Sequence, residues 1–218
     1  MLTVTDAVRK ILFSSDVPLE AMRSGILNFS AYAQSIHSQV EKMTWKTVKL
    51  GTIVVALTRI ATTLEQVPTL RPQVKIDDLK IKFPLVDVSY EKTDALVQKL
   101  SKLQAALDIT TKKVFVVTEG SSEITIIASQ ELHDAILSHF SVKPKGDFKD
   151  LVGITVSFDQ HYLSVQNVIY ALTSSVASKR INIIELISTY SELMFVIEEK
   201  DRQECVEALQ EHFVQLTA

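Results

Sequence analysis

The segment Val86-Asp87-Val88-Ser89-Tyr90 alternates apolar and polar residues, and Ile154-Thr155-Val156-Ser157-Phe158 repeats the alternation 68 residues later. A period of two marks a strand with one buried face. The residues downstream of each segment recur too. The helical spacing of Leu96, Leu100, Leu103 and Leu107 is answered by Val165, Ile169, Leu172 and Val176 at an offset of 69, and Val114 by Ile183 in the same register. Ser122-Glu123-Ile124 matches Ser191-Glu192-Leu193, again at 69. After a four-residue slip, Glu131, Ala135, Ile136, His139 and Phe140 match Glu204, Ala208, Leu209, His212 and Phe213 at 73. Five elements aligned in order make an internal duplication.

Each copy reads strand, helix, strand, strand, helix, which is most of the split pattern of the ferredoxin-like fold. A last strand is still needed. For the first copy Ser141 to Phe148 is the candidate, at an edge, because Pro144 and Gly146 suit no central strand. For the second copy only Val214 to Ala218 remains, so its fourth strand is either vestigial or supplied from elsewhere in the chain. Upstream of the first copy, Leu79, Ile81 and Phe83 already alternate and lead past Pro84 into Leu85.

The first 65 or so residues carry a helical period instead. Val4, Val8, Ile11 and Leu12 recur at three and four behind the start signal Thr5-Asp6, and Pro18 opens a second helix that Gly25 closes. Asn28 or Ser30 can cap a third helix with Tyr32, Ala33, Ile36 and Val40 on its apolar face. A fourth begins near Thr47 and carries Val48, Ile53, Val54, Leu57 and Ile60. Pro68 and Pro72 then stiffen a linker. The expected fold is α+β: an all-helical, helix-turn-helix-like domain at 1–70, followed by ferredoxin-like copies at 78–149 and 150–218.

With 46% hydrophobic and 22% charged residues the chain has apolar surface enough for ordinary cores and no bias toward disorder. Twenty-three basic against 26 acidic residues exclude a globally polybasic nucleic-acid binder. The charge is uneven, however. Up to Gln66 there are seven basic and five acidic residues, a balance of +2 against -5 for the rest. The single cysteine, Cys205, permits neither an intrachain disulfide nor a cysteine-based zinc site and suits a reducing compartment, so a cytoplasmic protein is expected. No signal peptide pattern opens the chain, and Ile53 to Leu57 is far short of the ~20 apolar residues that span a bilayer, so no membrane partner is expected.

The stretch Ile181-Asn182-Ile183-Ile184-Glu185-Leu186-Ile187-Ser188-Thr189-Tyr190-Ser191-Glu192, with Phe195-Val196-Ile197, Lys200-Asp201 and Ala208-Leu209 through Phe213, resembles the ACT domain. Through the duplication, the region from 80 to 140 resembles it more weakly. The pattern is most similar to the C-terminal regulatory ACT pair of aspartate kinases. The resemblance implies sensing and assembly rather than chemistry, with an amino acid or related metabolite held at a seam between ACT copies. By position Asn182, Glu185, Ser188, Thr189, Ser191 and Glu192 line that seam, and Asp159, Gln160, His161 and Tyr162 face them from the first turn. The turns Glu91-Lys92-Thr93-Asp94 and Asp159-Gln160-His161-Tyr162 lack the small residues usual in the family, and their acids repel a ligand carboxylate. The Lys-Phe-Gly-Gly-Thr segment of the kinase is absent from the sequence.

The helical module resembles a helix-turn-helix or winged-helix domain, with Asn28 to Ile36 as first motif helix and Thr47 to Leu57 as second. On that reading Lys42, Lys46, Thr47, Lys49, Thr52 and Arg59 reach DNA phosphates and base edges. Enzyme signatures fail on spacing: no metal-ligand pair, nucleophile elbow or phosphate loop occurs, so no catalytic residue, metal or cofactor is expected. His139 and His212 read as helix-end residues and Cys205 as a packed side chain. The expectation is a non-catalytic regulatory protein that dimerises through its sheet edges. The alternative is a ligand-free assembly subunit docking on an amino-acid biosynthetic enzyme such as an aspartate kinase.

Overall fold

A computed structural model describes residues 2–64, 69–107 and 109–212. The chain divides into two compact units, Met1–Pro72 and Gln73–Ala218. Phe213 and the stub Val214 to Ala218 lie outside the described residues, as do Glu65, Gln66 and Pro68.

In the first unit α1 (Val4–Leu12), α2 (Asp16–Arg23), α3 (Phe29–Thr44) and α4 (Leu50–Ala61) pack around Val8, Leu12, Leu19, Ile36, Ile53 and Leu57. The cap of α1 lies two residues before the Thr5-Asp6 signal, because the Thr3 hydroxyl accepts from the Asp6 amide at 3.1 Å. Of the two candidate caps for α3, Asn28 is the one used, its Oδ1 accepting from the Ala31 amide at 3.0 Å. Helix α3 continues past Ile36 to Thr44. The fourth helix starts at Leu50 rather than near Thr47. Both backbone groups of Val48 are already engaged: its amide donates to Glu41 Oε1 at 2.9 Å and its carbonyl accepts from His37 Nε2 at 2.6 Å. Tied in this way to α3, residues 45–49 stay outside the helix.

In the second unit β1 (Asp78–Glu91), α5 (Asp94–Ala106), β2 (Phe115–Glu119), β3 (Glu123–Ser129) and α6 (His133–Phe140) are followed by β4 (Gly146–Ser157), α7 (Val168–Ser178), β5 (Glu185–Ser188), β6 (Glu192–Glu198) and α8 (Arg202–Gln210). The six strands form one antiparallel sheet in the order β2-β3-β1-β4-β6-β5. The expected separate strand at Ser141 to Phe148 is not present as such. Instead β4 begins at Gly146 and runs without a break into the alternating segment of the second copy.

The two long strands cross-pair, and this supplies the missing edge. Residues 85–89 of β1 pair with 146–151 of β4, while Asp78 to Lys82 pair with Gly153 to Ser157. Register shifts on either side of Leu85 separate the two stretches, and Asp150 takes a left-handed backbone, φ 55°. Each strand is therefore first in one half and last in the other. The second copy's fourth strand comes from residues upstream of the first copy.

One face of the sheet carries the helices. Val86, Val88 and Tyr90 meet Leu96, Leu103, Ile136 and Phe140, and Val152, Ile154 and Val156 meet Leu172, Val176 and Leu209. In α7 the packed face is Val168, Ala171, Leu172 and Val176. Val165 precedes the helix and Ile169 is exposed, a shift from the expected register caused by the short 3-10 turn Gln160–Ser164 before it. His139 and His212 tie their helices to neighbours: His139 Nε2 donates to the Lys99 carbonyl at 2.9 Å, and His212 Nδ1 to that of Val74 at 3.2 Å.

The opposite face closes on itself. Leu85, Val114, Ile127, Leu151 and Val196 form a buried cluster against which Val116 and Ile187, from the two outermost strands, also pack. A flat sheet could not bring those strands together, so the sheet is curled around this cluster.

Candidate functional site

The turn after β4 and the β5–β6 turn meet at one end of the sheet. The buried Phe158 fixes the junction, its amide donating to the Ser191 carbonyl at 3.0 Å. Asp159 then caps the 3-10 turn, its Oδ1 accepting from both the amide and Nδ1 of His161 at 2.8 Å. The amide and the ring together hold the Asp159 carboxyl below the usual carboxylate range. The His161 ring lies 3.9 Å from that of Tyr162, whose hydroxyl accepts from the Lys75 amide at 2.8 Å. Across the junction Glu192 Oε1 is 3.4 Å from Lys80 Nζ, which also lies 3.6 Å from Asp78.

Of the ten predicted ligand residues, Asp159, Gln160, His161, Tyr162, Ser188, Thr189, Ser191 and Glu192 gather at this end. Asn182 does not: it precedes β5, toward the opposite end of that strand, and lines a cleft with Phe148, Asp150 and Glu199. Glu185 is also elsewhere. It belongs to the curled interior, where burial raises its carboxyl, and its charge is felt at Asp87 on β1. In a flat sheet the three strand spacings between β5 and β1 would separate them by about 14 Å. Asp87 itself is only 2% exposed and is pushed up to about 6 by burial and then by Glu185, against a hydrogen bond from Ser89. Lys80 is the site residue that the sequence pattern misses, because its partner lies 112 residues along the chain.

The fold of the chain is similar to that of Clostridium acetobutylicum aspartate kinase, with a TM-score of 0.52 and 11% identity over 64% of this chain and 34% of that one. It is similar to the regulatory subunit of aspartate kinase from Thermus thermophilus, with a TM-score of 0.50 and 12% identity over 65% of this chain and 99% of that one. The regulatory subunit from Thermus flavus gives a TM-score of 0.51 at 9% identity over 64% and 99%. The fold is ACT-like. The chain spans about a third of the Clostridium enzyme and nearly all of the Thermus subunits. No family model and no curated protein sequence matches it.

Among the described residues no group of three His, Cys, Asp or Glu could hold a metal, and no helix is long and apolar enough to cross a membrane. Cys205 is buried, and burial followed by the charge of Asp201 pushes its thiol up to about 12. It is not poised as a nucleophile.

The predicted DNA residues divide. Lys42 is in the last turn of α3, Lys46 and Thr47 lie in the connection, Lys49 caps α4 and Thr52 is in its first turn, so these five are close in the chain. Arg59 is in the last turn of α4, about 15 Å along the helix from Lys49. Trp45, outside the predicted set, is 85% exposed among these lysines at φ 56°.

Proposed function

We propose that this chain is a non-catalytic regulatory protein whose second unit is a tandem of ferredoxin-like ACT copies, 78–149 and 150–218, sharing β1 and β4. The observation that carries this reading is the junction of the two turns, where Glu192, Lys80, His161 and the Ser191 backbone meet at the end of an ACT-like sheet. An amino acid presents an ammonium to such carboxylates and a carboxylate to Lys80 and the hydroxyls of Ser188 and Thr189. Thr189 and Tyr190 stand at the end of β5, an outermost strand with unpaired backbone groups, so a second copy pairing there would close the site. Binding would shift the population between arrangements of the dimer.

The test is a melting scan of the full chain with each of the common amino acids. A ligand at a hundred times its dissociation constant adds about 2.7 kcal/mol of stability. A scan in which none raises the melting point refutes the sensing role and favours the assembly subunit, which should then co-purify with an amino-acid biosynthetic enzyme such as an aspartate kinase. Sedimentation as a monomer at micromolar concentration would remove the dimer.

For the first unit the reading is a DNA-contacting output. Support comes from the anchored connection that presents Trp45 between Lys42, Lys46 and Lys49. With ~4 phosphate contacts, affinity should fall with salt at a log-log slope of about -3 to -4. Lys46→Glu with Lys49→Glu should abolish binding, since neither residue is buried. If the wild-type chain shifts no duplex at low salt, the unit is a docking element instead.

A further inference from the structure

The duplication builds two open clefts at corresponding places in the second unit. One, of about 500 Å³, lies where β1 bulges, between Ile81–Leu85, the residues before β2 and the residues after β3. The other, of about 410 Å³, lies where β4 bulges, between Phe148–Leu151, the residues before β5 and the residues after β6. Lys82 and Asp150 are counterparts at an offset of 68 and Lys113 and Asn182 at 69; Glu131 and Lys200, also 69 apart, are the middle residues of the 3-10 turns after β3 and β6, so the structure removes the four-residue slip that paired Glu131 with Glu204. The same backbone hollow thus occurs twice with its charge altered. Among the described residues, the first sets Lys82, Lys112 and Lys113 against Glu131. The second sets Asp150, Glu198 and Glu199 against Lys149 and Lys200.

We propose that the first cleft binds a small organic carboxylate carrying an apolar group. Among the described residues of the lining, Lys82 and Lys112 stand beyond the one carboxylate, which Lys113 holds, and leave the cleft positive. Lys82 Nζ donates to the Lys112 carbonyl at 3.2 Å, which fixes that ammonium across the cleft. Lys113 is held 3.3 Å from Glu131, while Lys112 forms no ion pair among the described residues. Beside these cations Ile81 and Phe83 remain 44% and 48% exposed. Leu85, buried beneath, continues the apolar wall. A carboxylate meeting the lysines would lay its apolar body on Phe83 and Ile81, removing both from water. An inorganic anion would leave that wall uncovered, and an amine would be repelled. The second cleft, alike in shape and opposite in charge, is a control within the same molecule.

This site is separate from the turn junction proposed to hold the effector, so either can fail alone. The experiment is a backbone-amide NMR titration of the full chain with phenylacetate, and with phenethylamine as the matched cation. Phenylacetate should give saturable shifts at Lys82, Phe83, Lys113 and Gln130, with none at Asp150 or Asn182. Lys112→Glu, at an exposed residue, should keep the native spectrum and weaken binding about tenfold. Lys82→Glu should do the same if Lys112→Glu disturbs the fold. The proposal is overturned if millimolar phenylacetate moves no amide of the first cleft, or if phenethylamine moves the same amides equally. It is also overturned if the lysine variants bind as well as wild type, or if shifts occur only at residues 189–192.

Discussion

The two halves of the second unit share an element order and differ in what they bury. Among the described residues the second half buries no polar side chain apart from the Cys205 thiol, and its core recruits Val74 and Ile76 from the segment before β1. The first half buries polar groups. Tyr90, 1% exposed, has a hydroxyl with no hydrogen-bond partner among the described residues, and His133 pairs with Asp147 at 2.8 Å beneath the same sheet. The counterpart of Tyr90 is Phe158, and that of Asp87 is Thr155. The halves also meet asymmetrically. Leu85 and Gly153 are counterparts, and a Cβ on Gly153 would lie 2.8 Å from Leu85 Cδ1 and 3.2 Å from Met194 Sδ. Where the crossing strands bring equivalent positions together, one side chain fills the space and the other must be absent. The duplicated sheet is therefore a single cooperative object built from unequal partners.

The sharpest way to break this comparison is to remove the exchanged strand. A chain beginning at Leu85 lacks Val74, Ile76 and residues 78–82, and should lose the cooperative melting transition that a chain beginning at Gln73 retains. Equal transitions in the two would mean that the second half completes itself without the upstream strand. Next in size, Gly153→Leu places two large side chains at the crossing and should cost about 3 kcal/mol or more by denaturant unfolding. Pairing it with Leu85→Ala should recover much of that loss, and simple additivity of the two costs would show that the positions do not compete.

A smaller effect tests the polar interior of the first half. The Asp87 carboxyl, pushed up to about 6, binds its proton more tightly in the folded chain than in the unfolded one, where carboxyls titrate near 4. Stability should then fall as pH rises from about 4 to about 6, by up to roughly 3 kcal/mol, and the raised Glu185 carboxyl adds to the same slope. Asp87→Asn should flatten that part of the stability profile, and an unchanged slope would remove Asp87 as its source. The smallest expected change is Tyr90→Phe, which makes the first half like the second. Deleting the unpartnered hydroxyl should stabilise the protein by about 1 kcal/mol, whereas a loss of stability would mean that the hydroxyl has a partner.

What was legible in the sequence was local. Alternation at Val86 to Tyr90 and Ile154 to Phe158 marked strands, the leucines from 96 to 107 marked a helix, and their recurrence revealed the duplication before any contact was known. For the cap of α3 the sequence left Asn28 and Ser30 open, and the hydrogen bond to the Ala31 amide chose Asn28, while the facing of Asp159 toward Ser191 and Glu192 was an expectation from the ACT resemblance rather than from any local pattern. The helix starts at Val4 and Leu50 were not legible, because hydrogen bonds from particular side chains displaced them from the apparent signals.

The sequence by itself determined which stretches are strand or helix and most of the faces they bury, because periodicity is a property of the backbone's own geometry, but it counted a separate strand at 141–148 and turned Ile169 inward. Only the tertiary structure decided which strands pair. Asp78 to Lys82 alternate correctly and could have lain on either side of several partners, yet they complete the half to which they are not adjacent in sequence. The same crossing brings Lys80 to Glu192, and the curl of the sheet draws Glu185 into the interior with Asp87 while leaving Asn182 at another cleft. The reason is physical: a period records a face, whereas the choice of partner depends on how the whole chain closes its sheet and fills the space where two equivalent strands cross.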